Sequence, residues 1–345
     1  MAYNPSALRR VYTQAQASFR TIPNTTGTWT PASPAVKLLR DSRCSLNFSA
    51  PKIEADYHTG TRSRPSSGLI GRRVASWDIA GPLIPSGAAG TAPDAENLLA
   101  AVFGRAGVIV GATSCTYSFL DAGFLPFLIN YLMLAGTGFH QRIAWGCWPE
   151  EITFELMGDF MSYSARGGAC WVLDSDSFAA VEETVAKAGL TVNFGTEVGQ
   201  SNTVAGNLIT GYTLTNTFDG NAMVELQGAT IKVQTGFRPE YAAADPYPIT
   251  AIGGRRRVSV SFRMLDSDSS NLTNLKKLVK SGTPLDITIS NAVLAGYKVS
   301  FTLQDVRLES FEMAGGEVGF TSEFGESSAH ASSLTAIDDL TIAFT

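Results

Sequence analysis

Histidine is scarce in this chain, and the three present (His58, His140 and His330) lie far apart in sequence. Cysteine is almost as rare: Cys44, Cys115, Cys147 and Cys170 show no CxxC spacing. A zinc site of the usual kind needs clustered ligands, so neither residue type points to a metal centre, and the cysteines read as structural thiols. No G-x-S-x-G elbow, Walker A loop, H-E-x-x-H helix or EF-hand loop occurs. Gly253-Gly254-Arg255 is glycine-rich, but no Lys-Ser/Thr follows it, and a tight turn explains it better than a phosphate cradle. Glu150 and Glu151 are adjacent, which on a strand sends them to opposite faces and unsuits them as a paired acid and base. No nucleophile–base pair can be assembled, so the expectation is a non-enzyme without cofactor or metal.

Long apolar runs are also missing. The longest, Phe124 to Ala135, contains Pro126, Asn130 and Tyr131 and is too short to span a bilayer. Met1 to Arg20 has no apolar core of the secretory kind. The expectation is a soluble protein made in a cytoplasm.

What the chain does have is apolar and turn-forming residues. Apolar types make up 44% of its 345 residues, with 33 glycines and 15 prolines, enough for real cores joined by many turns. With Val, Thr, Phe and Ser abundant, this predicts a mainly β fold. Charge is unevenly placed. Residues 1–73 hold eleven Lys/Arg against three Asp/Glu, whereas residues 74–345 hold fifteen against twenty-eight. A basic end beside an acidic body suits a nucleic-acid arm, docking of one copy on the next, or a solvated surface without a partner.

The most informative feature is an internal echo at a separation of about 180 positions. Gly71-Arg72-Arg73 runs into alternating Ala75, Trp77 and Ile79, then a Pro/Gly-rich loop, then Asn97-Leu98-Leu99 with Ala101 and Val102. Gly254-Arg255-Arg256 runs into Val258, Val260 and Phe262, then a Ser/Asp-rich loop, then Asn274-Leu275 with Leu278 and Val279. Each copy reads as a turn, a strand with one buried face, a polar loop and a short amphipathic helix. Ahead of each turn lies a strand and a long polar stretch, Pro51 to Gly71 and Pro239 to Gly254, the first of which fits a protruding hairpin. Further strands are expected over Cys115–Leu120, Ile143–Met157, Leu285–Ser290, Tyr297–Leu303, Val306–Met313 and Thr341–Phe344. A short helix fits Tyr12 to Phe19, and Ser175 can cap another carrying Phe178, Val181 and Val185.

These elements divide the chain into an N-terminal arm (1–35), a first β unit (36–173), a linker with a short helix (174–206) and a second β unit (207–345). Two sandwich or small-barrel units, each with one packed helix, is the architecture they allow. The cluster Arg255-Arg256-Arg257 lacks the stacking aromatics of a single-strand binder and matches Arg72-Arg73 in the first copy, which favours a subunit contact.

The pattern of Leu38–Phe48, the basic loop Arg62–Arg73, the strand Val74–Ile79, the helix Asp94–Phe103 and Cys147–Gly158, repeated through Gly228–Ile231, Arg255–Phe262, Leu272–Lys280 and Val306–Met313, resembles bacteriophage tail tube proteins (major tail proteins) of the duplicated kind. The resemblance implies two tandem tube domains, each a β-sandwich with a flanking helix. It implies rings, trimeric with pseudo-sixfold symmetry, stacked into a tube through which phage DNA passes without sequence-specific binding. It further implies a tape measure and a tail terminator as partners, residence in the virion, and assembly in the host cytoplasm. The family's inter-ring loop falls on about Ala50–Gly71 and Lys232–Gly253. Tyr57, His58, Arg62, Arg64, Arg72, Arg73, Arg255, Arg256 and Arg257 are therefore the expected interface residues, and the acidic body is expected to supply carboxylates to a channel wall. Other readings are a tail terminator or decoration protein, and a monomeric ligand- or carbohydrate-binding β-sandwich.

Overall fold

The computed structural model describes residues 9–16, 18–19, 36–39, 43–49, 52–53, 69–120, 124–135, 138–156, 160–174, 214–223, 225–243, 245–266, 270–291, 296–316, 319–333 and 338–345. Within them the protein is mainly β, as the composition predicts, with antiparallel sheets and no closed barrel among the described strands. The linker helix at Ser175 and the side chains of Tyr57, His58, Arg62 and Arg64 lie outside the described residues.

The backbone of the architecture is an eight-strand run. In the first half, β3 (Arg43–Ser49) pairs with β6 (Val74–Pro82), β6 with β11 (Ser162–Ala169), and β11 with β10 (Gly138–Glu155). In the second, β15 (Leu226–Gln234) pairs with β18 (Arg257–Leu265), β18 with β22 (Gly319–Ala329), and β22 with β21 (Phe311–Gly316). One further ladder, β10 against β15, joins the two sets of four. Alternation governs the inner strands: Ala75, Trp77 and Ile79 on β6, Ile152 and Phe154 on β10, Ile231 and Val233 on β15, and Val258, Val260 and Phe262 on β18 are all buried on one face.

That apolar face packs on a second, seven-strand sheet: β14 (Asn221–Ala222), β13 (Leu214–Phe218), β19 (Leu285–Asn291), β20 (Val299–Val306), β23 (Leu340–Phe344), β8 (Ser114–Ser118) and β7 (Val108–Val110), in that order. Phe154 meets Phe301 across the layers at 5.2 Å between ring centroids, and Phe218 meets Phe262 at 5.2 Å. Side chains of this size, fully buried, contribute about 1.5–3 kcal/mol each, so this interlayer seam is the main source of stability. The second layer draws on both halves, since β8 pairs with the C-terminal strand through Cys115↔Phe344.

Among the described residues each half carries one helix, at the expected place. α1 (Glu96–Phe103) buries every residue from Asn97 to Phe103 and stops at Gly104, whose φ of 74° reverses the chain. α2 (Ser270–Ser281) fully buries Leu272 and Leu275, packs Leu278 and Val279 partly against the core, and is polar on its other face. The hairpin expected between β3 and β6 is seen at its base, where β4 (Lys52–Ile53) pairs with β5 (Leu69–Ile70). Its counterpart is β16 (Arg238–Tyr241) with β17 (Pro248–Ile252).

Three local expectations change. The helix fitted to Tyr12–Phe19 is a strand over its first part: β1 (Arg9–Ala15) lies between β2 (Val36–Leu39) and β9 (Phe127–Ala135), with Val11 and Tyr12 fully buried. Tertiary pairing overrides a weak helical pattern there. Val306–Met313 is not one strand, because β20 ends at Val306 and β21 begins at Phe311. Ile143–Met157 belongs to a longer element: β10 pairs with β9 and β12 (Trp171–Asp174) along its first half, and with β11 and β15 along its second. The corner between these halves is Gly146, with φ at 58°, where a Cβ would stand 2.4 Å from the Phe19 carbonyl oxygen. Only glycine fits so close a backbone approach.

Candidate functional site

The closed ladder between β10 and β15 sets Ile152 opposite Val233 and Phe154 opposite Ile231, all four fully buried. Above this apolar seam, on the solvent side of the sheet, Glu151 gathers its neighbours. Lys232 Nζ is 3.1 Å from its Oε2, Arg166 Nη2 is 3.3 Å away, and Gln234 Nε2 donates at 3.2 Å. Burial raises the Glu151 carboxyl, but the hydrogen bonds from Gln234 and Lys232 and the charges of Arg166 and Lys232 outweigh it, and the group titrates below the usual carboxylate range. At the end of the seam Thr235 donates through Oγ1 to the Pro149 carbonyl at 2.6 Å.

The outer edges of the same eight-strand run are open. Among the described residues β3 has one ladder partner, β6, and β21 has one, β22. Both edges carry apolar side chains in solvent: Phe48 on β3 is 43% exposed and Met313 on β21 is 56% exposed. Backbone donors and acceptors along such edges invite another strand.

The structure separates the predicted arginines into two groups. Arg73 is held within the chain by the second hairpin: its backbone N–H donates to the Pro246 carbonyl at 2.9 Å, and its guanidinium hydrogen-bonds the Tyr247 hydroxyl. The same guanidinium lies 5.1 Å from the Trp171 ring centroid and 5.0 Å from that of Tyr247. Arg256, its counterpart, instead grips Asp339 with two hydrogen bonds, at 3.1 and 2.9 Å, and covers the Phe119 ring at 3.7 Å. Arg72 is exposed with its guanidinium 4.8 Å from the Tyr241 ring, and Arg255 and Arg257 are exposed. Burial raises the Tyr241 phenol above its ordinary value against the lowering pull of Arg72.

The solvent face of the eight strands is paved with small polar residues, among them Ser45, Asn47, Ser76, Ser164, Thr153, Thr230 and Ser261. Five cations project among them (Arg43, Arg166, Lys232, Arg257, Arg263) with six carboxylates (Asp78, Glu151, Glu155, Glu312, Glu323, Glu326). Arg43 Nε sits 2.8 Å from Asp78 Oδ1, and Ser259 donates to Glu326 at 2.7 Å. The acidic excess of the chain is thus not concentrated on this face, which is close to charge balance.

Sequence reasoning found the turns and their arginines but missed Glu151, Lys232 and Arg166, because their meeting depends on strands distant in the chain. The available signal was alternation, which places Glu151 on the face opposite Ile152 and Phe154.

The sequence matches no protein-family model and no curated protein. Among solved structures, a chain of the virion of native gene transfer agent (GTA) particle is similar at 15% identity and a TM-score of 0.28, covering 34% of this chain and 92% of its own length. A likeness that low does not bear on function.

Proposed function

We propose that this protein is a ring-forming subunit of a phage tail tube, a virion structural protein rather than an enzyme. The observation that carries the reading is the β10–β15 ladder. The last strand of one four-strand set already pairs, antiparallel, with the first strand of the next. The two strands left open, β21 and β3, hold the same last and first places in their own sets. A second copy brought edge to edge repeats the internal ladder, and such heterologous contacts make a ring when the rotation closes.

The internal ladder also suggests the register of that contact. Ile79 and Phe262 occupy matching places after their Gly-Arg-Arg turns, and their partners Ala165 and Phe324 pair outward with Ile152 and Phe311. Ser49 and Gln234 likewise pair with the matching Val74 and Arg257, so Phe48 corresponds to Val233 and Leu46 to Ile231. Ile152 faces Val233 and Phe154 faces Ile231 inside the chain. Across copies, Phe311 therefore faces Phe48 of the neighbour and Met313 faces its Leu46. The exposed Phe48 and Met313 become seam residues.

Two units per chain, over 36–173 and 207–345, make three copies a pseudo-sixfold ring. The loops within 50–71 and 232–253, the second of them the hairpin of β16 and β17, reach the adjacent ring, with Tyr57, His58, Arg62 and Arg64 on the first, and Arg72, Arg255 and Arg257 near their bases. A tape measure and a tail terminator bound the tube, and DNA passes through it.

Electron microscopy of the purified chain across concentration and salt tests the reading. Rings or hollow tubes with threefold or sixfold end views are expected. Particles of one chain's mass at every condition, including with added tube ends as seeds, overturn it in favour of a monomeric ligand-binding sandwich.

A further inference from the structure

The polar face combines two properties seldom found together on a charged surface. It holds five cations, yet those nearest its centre are tied to carboxylates on neighbouring strands. One cross-strand row reads Ser45, Asp78, Arg166, Glu151, Gln234, Arg257, so that positive and negative side chains alternate over its middle. Glu151 alone pairs with two cations, Lys232 at 3.1 Å and Arg166 at 3.3 Å, while Asp78 holds Arg43 at 2.8 Å. At the far end Glu323 lies between Arg263 on one strand and Glu312 on the other. Glu155 and Glu326 are its remaining carboxylates, and small hydroxyl and amide side chains fill much of the rest.

We propose that this face is built to let a polyanion slide past without being held, and that Glu151 is the positioning residue that keeps its two cations from phosphate. The proposal rests on the reading of this sheet as a channel wall. A strongly acidic wall repels DNA at a distance, and a wall of loose cations grips it through counterion release. A wall whose central cations are tied to carboxylates of the same sheet does neither. Lys232, Arg166 and Arg43 already have carboxylate partners, so a phosphate passing them must displace an oxygen that is fixed to the sheet and closer.

Removing the carboxylate charge should therefore create DNA affinity. The probe is a fluorescein-labelled 30-base-pair duplex, titrated by anisotropy with the full chain. Glu151→Gln keeps the shape and releases Lys232 and Arg166. Two freed cations add about 1.8 to the slope of log affinity against log salt, and their gain fades about tenfold between 50 and 200 mM salt. The combination of Glu151→Gln with Lys232→Thr and Arg166→Ser is expected to return the wild-type curve. A salt-dependent gain abolished in that triple variant supports the proposal. An unchanged slope in folded Glu151→Gln, or a gain that survives loss of both cations, overturns it. Asp78→Asn provides the check should Glu151→Gln fail to fold, because its pair is exposed; it is expected to raise the slope by about one, and no rise overturns the proposal. Ring formation is scored separately by microscopy. Rings with no gain in DNA binding remove this inference alone, whereas a gain without rings upholds the charge pairing and removes the tube.

Discussion

The closed ladder between β10 and β15 and the open edges at β3 and β21 belong to one run of strands, yet they present themselves oppositely to solvent. In the ladder Ile152, Phe154, Ile231 and Val233 are fully buried, whereas Phe48 and Met313, in corresponding places at the edges, are about half in water. The difference is one of neighbours and not of residue type, since apolar alternation continues to the edges in both halves. A seam of this kind is complete only when a second strand lies on it. Among the described residues the chain contains one such closed ladder and two edges with one partner each.

Truncation within the closed ladder gives the largest effect. Phe154→Ala removes a ring packed on Phe301 and is expected to destabilise the fold by about 3–5 kcal/mol, measured by denaturant melting. A loss below about 1 kcal/mol shows that the ladder is peripheral to the core.

A smaller effect follows at the polar side of the same ladder. The folded Glu151 carboxyl titrates below its unfolded value, so its contribution is present above about pH 4–5 and disappears as acid protonates it. Wild type is expected to exceed Glu151→Gln in stability by about 1 kcal/mol at neutral pH, with the gap closing on acidification. A gap that persists at pH 3 means that the carboxylate charge is not what holds the joint.

At the open edge the smallest stability change accompanies the largest change in assembly. Met313→Asp is expected to leave monomer stability within about 0.5 kcal/mol of wild type while abolishing polymers. Sizing and melting the same sample checks both. Polymers that survive the substitution locate the contact on another surface.

Much of this layout was legible in the sequence because it rests on local pattern. Ala75, Trp77 and Ile79 alternate as a half-buried strand must, and Leu98, Leu99, Ala101 and Val102 recur at helical spacing, so strand and helix were found in both halves. The helix expected over Tyr12–Phe19 gives way to β1 at Arg9–Ala15 because its burial comes from β2 and β9, partners that no local pattern reveals. The candidate site was harder. The Gly-Arg-Arg turns stand out in sequence, but the same turn holds Tyr247 in one half and Asp339 in the other, so identical residues could not disclose their partners. Glu151 was passed over as half of an unsuitable carboxylate pair. Its significance lies in Lys232 and Arg166 arriving from two other strands.

One strand carries a mechanical implication. β10 runs without a break from Gly138 to Glu155, clasped by β9 and β12 at one end and by β11 and β15 at the other, turning its corner at Gly146. No loop separates the two regions, so tension along it passes as shear through hydrogen bonds loaded side by side, and must break many of them at once. Pulled lengthwise, the molecule has a girder where other chains have a hinge.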